Sequence, residues 1–429
     1  MAIDGASLIR AAEQGDPVSA LQLARLLSDQ GDDRAVAWLE QASDAGLAEA
    51  LAELGLWKIV GHMMSPDQTG GIMLLKEASK AGYAKADLLL ATAYAQGDGT
   101  PASFPDAVRR LVQGAKKNEA SSLRQLAFLL KPIPRFDGLR RTLYFIAAQQ
   151  GDVIACFFLG KLLCASADEF DRKQGRGWLK AAAERGSWCA NNLLNEMIGE
   201  AMVAPRAIDE VRVPWRDLPR FLDLPHERRA PPATDLMQSL CISEIKGFFT
   251  EDEADYVISA GEAFLAKATV NDESLGQIED ESRTNSFANF YFLESDVVLA
   301  SLNARLVKFA GAKGKGGDPL SLLHYQVGQS YAPHYDFFDP VFPAHVAPLE
   351  EGGQRTQTML VYLNDDYEGG ETDFPEVGFR YRGCKGDLLL FHNVDSQGVP
   401  DRDTLHTGRA PTSGEKWLLS KWIRKEGQQ

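Results

Sequence analysis

Two rhythms of apolar and polar positions divide this chain of 429 residues. Through the first half, apolar residues recur at helical spacing, as in the run from Ala20 to Leu27, and each helical stretch closes on small residues and a break. The breaks end at Gly15, Gly46, Gly82, Asn118, Gly151 and Gly186, spaced 31, 36, 36, 33 and 35 residues apart. A period in the mid-thirties predicts a solenoid of helical pairs over residues 1–199, with alanines allowing close helix approach. In the last part the helical period gives way to short apolar, β-branched and aromatic runs, Leu322–Val327, Thr358–Leu363, Leu388–Phe391 and Trp417–Arg424, separated by Gly, Pro and Asp. These predict strands. Ahead of them, Thr250-Glu251-Asp252-Glu253 predicts a capping box opening a helix through about Leu265, which would support the sheet from outside. Residues 200–235 hold Pro205, Pro214, Pro219, Pro225, Pro231 and Pro232, so this proline-rich linker cannot be regular helix and reads as an ordered strap or a free connection. The fold class is therefore multidomain α + β, an α-solenoid followed by a β domain over 236–429.

Composition narrows the function classes. The length is more than one ordinary core can use, and 45% hydrophobic with 24% charged residues is the balance of a soluble globular protein. No apolar run approaches the roughly 18 residues needed to cross a membrane, and Met1-Ala2-Ile3-Asp4-Gly5 lacks a basic, then apolar leader, so a cytoplasmic location without membrane partners is expected. Five scattered cysteines without a Cys-x-x-Cys spacing fit free thiols in a reducing compartment. A net charge of −15 argues against nucleic acid as a partner, because phosphate contacts need a basic face. The basic pairs Arg109-Arg110 and Lys116-Lys117 read as solvated helix faces.

The candidate chemistry lies in the β region. In an extended segment His334-Tyr335-Asp336 presents an imidazole and a carboxylate on one side, with Tyr335 turned away. His406 would complete a two-histidine, one-carboxylate face of the kind that holds Fe(II) with open positions. Lys416 stands ten residues later, beyond a Gly- and Pro-containing stretch that predicts a hairpin with His406 and Lys416 facing each other. His324, His345 and His392 compete for the ligand role on spacing alone, and a zinc hydrolase could use the same three donors, although it would not need the lysine.

From Ile245 to Arg424 the chain resembles the prolyl 4-hydroxylase branch of the Fe(II)/2-oxoglutarate-dependent dioxygenases, through five motifs in family order. These are Tyr325 to Asp336, Arg355 to Asp365, Gly369 to Phe374, Gly386 to Phe391, and Leu405 to Gly408 closing with Gly414-Glu415-Lys416-Trp417. The resemblance implies a jelly-roll, the double-stranded β-helix, for the predicted strands. It implies His334, Asp336 and His406 as iron ligands, Lys416 on the far carboxylate of 2-oxoglutarate, and Tyr325, Thr358 and Tyr362 hydrogen-bonding that cosubstrate. Strand propensity alone also accounts for those last three. Ser282-Arg283-Thr284-Asn285-Ser286 is similar to the family's segment near the substrate entrance, with Asn285 a departure from it, so Arg283 and Trp417 are candidate substrate contacts. Cys384-Lys385-Gly386 stands where the family often has Pro before Gly. Oxygen would be the cosubstrate and ascorbate a reductant. The charges support the set: iron(II) with one carboxylate and two neutral imidazoles leaves about +1, which a dianion and the Lys416 ammonium bring close to neutral, as a buried site requires.

The repeats resemble Sel-like repeats, relatives of the tetratricopeptide family, most clearly at Ala93-Tyr94-Ala95-Gln96-Gly97-Asp98-Gly99. That resemblance implies a surface that recruits a protein or peptide. Together the halves are expected to make a protein hydroxylase acting on a proline. The alternatives are a small-molecule or free amino acid hydroxylase whose repeats dock a partner, and a non-catalytic sensor or scaffold.

Overall fold

In the computed structural model, which describes residues 5–272, 276–278 and 280–425, the chain gathers into two compact units. Residues 1–4, read above for a leader, lie outside the described residues. The first unit comprises the described residues up to Trp178 with Met202–Asp223 and Asp296–Ala300, and the second Leu179–Ala201, Leu224–Ser295 and the described residues from Ser301 onward.

Helical pairs build the first unit: Arg34–Asp44 with Ala48–Val60, Gln68–Lys80 with Ala84–Gln96, Phe104–Lys116 with Ala120–Leu129, and Asp137–Gln149 with Val153–Cys164. Gly46, Gly82, Asn118 and Gly151 are the turns within these pairs, and Gly15 and Gly186 follow the helices Gly5–Glu13 and Glu169–Ala183 in the same way. Gly15, Gly46, Gly82, Gly151 and Gly186 have φ between 80° and 95°, and Asn118 has φ 69°. A left-handed residue ends a helix without steric penalty only if it is glycine or, at small cost, asparagine, which explains why the fourth copy departs from Gly. After some of these turns a side chain caps the next helix, as when Asp16 accepts from Ser19 N and Asp152 from Ala155 N, whereas Leu47 and Tyr83 leave theirs without a side-chain cap. Small residues let the helices close up: Ala20, Ala24, Ala42 and Ala50 are fully buried.

Two expectations change here. Arg110 and Lys117 are more than solvated helix faces: while still partly open to water, both donate to the fully buried Asp87 carboxylate, at 3.1 and 2.7 Å, which Ser79 Oγ also reaches at 2.7 Å. A buried carboxylate must recruit cations, and both basic residues come from the next helix in sequence, Lys117 as the residue that closes it. The proline-rich segment is also resolved: Met202–Asp223 lies along the first unit as a strap. Val203 N donates to Lys173 O (3.1 Å), Val211 N to Thr142 Oγ1 (2.9 Å) and Asp223 N to Leu129 O (2.7 Å).

The second unit is built on two antiparallel sheets. The larger runs in the order Thr234–Met237, Ile242–Ile245, Leu388–His392, Arg355–Tyr362, Lys416–Arg424, Ser321–Tyr325, Ser286–Asn289, Ala266–Lys267. The smaller runs Phe379–Tyr381, Thr372–Phe374, His406–Gly408, Tyr331–His334. Tyr325, Leu360, Phe391 and Leu418 from the first pack with Phe374 and Tyr381 from the second, so the core lies between sheets in a double-stranded β-helix. The expected capping box is present, with Thr250 and Glu253 satisfying each other's backbone, but the helix Glu251–Gly261 ends early in a 3-10 turn, Glu262–Phe264. Trp188–Glu196 also belongs to this unit, with Trp188 against Trp417 at 5.3 Å and Asn192 donating to Asp366 at 2.9 Å.

The predicted hairpin between His406 and Lys416 does not form. Their strands belong to different sheets, and the connecting Pro411–Ser413 pairs with Glu368–Gly369 instead. The turn residues supply a crossing between sheets, which local text cannot distinguish from a reversal.

Helices Ala48–Val60 and Gln68–Lys80 meet through two glycines, and a Cβ on Gly71 would lie 2.4 Å from the Gly55 carbonyl and 2.7 Å from Ile59 Cγ1. Alanine gains about 1 kcal/mol of helix propensity over glycine, whereas overpacking against backbone costs about 1–3 kcal/mol. Gly71→Ala is therefore expected to lower the denaturant midpoint of the first unit, and an unchanged or raised midpoint would contradict the packing.

Candidate metal and cosubstrate site

The site starts from a cross-strand pair. His406 lies directly opposite His334 in the antiparallel register of Tyr331–His334 with His406–Gly408, which sets their rings 4.3 Å apart between centroids. Asp336, two residues past His334, turns its carboxylate between them, with Oδ1 3.7 Å from His334 Nε2 and Oδ2 3.5 Å from His406 Nε2. One donor atom from each lies within 4.8 Å of the others, and this is the grouping of its kind among the described residues.

Both imidazoles are set up by their own backbone. His334 Nδ1 is 2.9 Å from Ala332 O and His406 Nδ1 is 3.0 Å from Thr404 O. A carbonyl oxygen can only accept, so each Nδ1 carries the proton and each Nε2 presents a lone pair toward the carboxylate. Burial, with His406 beside it, pushes the His334 pKa down to about 3, so the ring is neutral. Burial alone would push the Asp336 carboxyl up, but His406, His334, Arg355 and the Thr358 hydroxyl together hold it below the usual carboxylate range. The result is two imidazole Nε2 atoms and an anionic oxygen in a buried pocket, a donor set that fits a divalent iron.

Across the pocket, Lys416 opens its strand opposite Tyr325. Its ammonium is fully buried, has no hydrogen-bond partner among the described residues, and lies 5.2 Å from the Tyr325 ring centroid. An unpaired buried cation costs several kcal/mol, so this geometry calls for an anion. The two charged centres line one pocket with Tyr325, and that pairing fits a chelating dicarboxylate between them, while a zinc hydrolase would leave the lysine without a task. Gly408 adds room, since a Cβ there would meet the Tyr325 hydroxyl at 3.2 Å.

The other expected residues fall out differently. Arg283 does line the pocket, lying over the Tyr331 ring at 4.6 Å. Trp417 does not: strand alternation points it to the other face, where it stacks on His324 at 4.0 Å, and Lys416, Leu418, Ser420 and Trp422 point in. Tyr362 buries its hydroxyl against Thr372 Oγ1 at 2.8 Å in the core, and Thr358 donates to Asp336 Oδ2 at 2.7 Å, so neither hydroxyl is turned to a cosubstrate. The rival histidines are engaged elsewhere: His324 with Glu415 at 3.0 Å, His345 with Asp339 N at 3.0 Å, and His392 with Gln357 at 3.3 Å. Two aromatic walls escaped the sequence reading, Tyr331, stacked on His334 at 3.5 Å, and Trp422. Counting in twos from Lys416 reaches Trp422, whereas the register shift beside Tyr331 hides it from such counting.

Residues 320–424 match the family described as the 2OG-Fe(II) oxygenase superfamily. Probable prolyl 4-hydroxylase 6 of Arabidopsis thaliana is 32% identical over 197 residues, 42% of this chain and 67% of that protein. Prolyl 4-hydroxylase 5 of the same plant is 34% identical over 195 residues, 41% of this chain and 65% of that protein. The chain spans 60–67% of the length of such curated relatives. Among solved structures, the 2OG complex of the viral collagen prolyl hydroxylase from Paramecium Bursaria Chlorella virus-1 is 26% identical with a TM-score of 0.33, covering 42% of this chain and 94% of that one. A Sel1 repeat protein from Oxalobacter formigenes is 21% identical with a TM-score of 0.39, covering 46% of this chain and 89% of that one.

Burial holds the Lys416 ammonium down to about 7, against a smaller opposing pull from Glu371. The unliganded protein therefore loses this proton as pH rises through 7, while a bound dicarboxylate favours the charged form. Affinity for 2-oxoglutarate in Mn(II)-loaded protein should fall between pH 7 and 9, approaching tenfold per unit, with a proton taken up on binding. Calorimetric titrations in two buffers read both, and an affinity flat over that range would reject Lys416 as the anchor.

Proposed function

We propose, because this chain belongs to the prolyl 4-hydroxylase family of the 2OG-Fe(II) oxygenase superfamily, that its second unit hydroxylates a prolyl residue in a protein recruited by the helical repeats. The observation that carries this reading is the convergence of His334, Asp336 and His406 opposite the buried, unpartnered Lys416. In its roles, His334 Nε2, His406 Nε2 and the Asp336 carboxylate hold Fe(II). Lys416 pairs the distal carboxylate of 2-oxoglutarate, with Tyr325 beside it. When bound, iron and cosubstrate supply the oxidation, in which dioxygen and 2-oxoglutarate become succinate and CO2 and one oxygen atom enters a C–H bond.

The chain's own groups do the positioning. Ala332 O and Thr404 O fix the imidazole tautomers, and the apolar walls Leu323, Leu360 and Leu418 keep water from the charged centre. The Tyr331 and Trp422 rings add apolar surface to the pocket wall, in keeping with a pyrrolidine ring, and Arg283 offers donors suited to a peptide carbonyl. A repeat solenoid presents an extended surface, which supports a macromolecular substrate over a free amino acid.

Purified full-length protein with Fe(II), 2-oxoglutarate and proline-containing peptides should release succinate and yield peptides 16 Da heavier at proline, the mass of one oxygen atom. His334→Ala should reduce both by about 100-fold or more, as expected for loss of a metal ligand. Equal turnover of free proline and peptides would defeat the protein-substrate reading, and succinate release unaffected by His334→Ala would defeat the site.

A further inference from the structure

We propose that Asn393 is a positioning residue for the metal site, acting through Thr358 to hold the Asp336 carboxylate in place. The inference rests on the reading of His334, Asp336 and His406 as ligands and adds a group that contacts none of them. Asn393 follows the strand Leu388–His392 and is fully buried, with its N–H donating to Thr356 O at 2.9 Å and its carbonyl accepting from Asp401 N at 3.0 Å. Its Nδ2 donates to Thr358 Oγ1 at 2.9 Å, and Thr358 Oγ1 donates to Asp336 Oδ2 at 2.7 Å. Its Oδ1 has no partner among the described residues.

The direction of the chain follows from proton counting. A threonine hydroxyl has one proton. If the Asn393 carbonyl faced Thr358, two acceptors would compete for it, and the Asp336 carboxylate would share its donor. With the amide nitrogen facing Thr358, the hydroxyl's lone pair is taken and its proton has one destination, Oδ2. That leaves Oδ1, 3.7 Å from His334 Nε2, as the carboxylate oxygen without a hydrogen bond from the described residues. A second tie acts on the same residue from its backbone, Arg355 Nη1 donating to Asp336 O at 3.3 Å while Arg355 Nε holds Asp318 Oδ2 at 2.5 Å. Because Asn393, Thr358 and Asp336 act in series, losing the Thr358 hydroxyl already removes whatever Asn393 contributes through it.

The test is Mn(II) binding to metal-free full-length protein by calorimetry, with the visible spectrum of the Co(II)-substituted form as a second readout. Loss of an outer hydrogen bond to a metal ligand weakens metal binding by about 10- to 100-fold. Asn393→Ala and Thr358→Val should each fall in that range and alter the Co(II) spectrum, and the double variant should bind no worse than Thr358→Val alone. Thr358→Ser, which keeps the hydroxyl, should stay within about twofold, because an outer-sphere donor is retained. Asn393→Asp should lose at least as much as Asn393→Ala, since a carboxylate would draw the threonine proton away from Asp336. Should Asn393→Ala not fold, the Thr358→Ser and Asn393→Asp pair decides on its own, because equal binding by both rejects the relay. Parent-like affinity in Asn393→Ala, or losses that simply add in the double variant, would overturn the proposal. His334→Ala in the same titration separates the two levels: unchanged binding there rejects the ligand set, whereas loss there with none in Asn393→Ala rejects only Asn393.

Discussion

A carboxylate held between two imidazoles, out of water, is the constraint on which the second unit turns. Asp336 is 5% exposed; among the described residues its carboxylate accepts from Thr358, Arg355 donates to its backbone carbonyl, and no lysine or arginine pairs with the carboxylate. Such an arrangement is poor in isolation, because removing an anion from water costs several kcal/mol. It becomes favourable once a divalent cation sits among the three donors. The same reasoning applies to Lys416, whose buried ammonium has no hydrogen-bond partner among the described residues. The two unfavourable halves are complementary, and their cost is the binding energy that a metal and a dianion together recover.

The two-sheet architecture is what lets these halves coexist. His334 and His406 come from neighbouring strands of the smaller sheet, Tyr325 and Lys416 from neighbouring strands of the larger one. Placing cation and metal ligands on opposite layers keeps them far enough apart for a chelating anion to lie between. A hairpin joining His406 to Lys416 would have put them in one layer and closed that space. The crossing through Pro411–Ser413 is thus a functional feature of the topology.

The repeat unit shows a different economy. Its helices differ in their letters, but a left-handed residue at each turn and small residues, alanine or glycine, at the contacts repeat with the period of the fold. Asn118 in place of glycine keeps the required backbone conformation, so the repeat is conserved in geometry where its letters change. The proline-rich strap then follows the first unit, satisfying its backbone groups on helix side chains and carbonyls as irregular chain must.

Much of this was written locally. The repeat period, the strands around Leu322, Thr358, Leu388 and Trp417, the capping box at Thr250, and the His-x-Asp, His and Lys set were all legible, because each depends on neighbours within a few residues or on a period along the chain. What the letters left open was everything that depends on which strand lies beside which. Choosing His406 over His324, His345 or His392, turning Trp417 out and Trp422 in, and giving the Thr358 proton to Asp336 instead of a cosubstrate are decisions of register and sheet pairing. Arg110 and Lys117 likewise looked solvated until helix packing brought Asp87 between them. Propensity and periodicity are properties of a segment, whereas a side chain's partner is a property of the space that distant segments share.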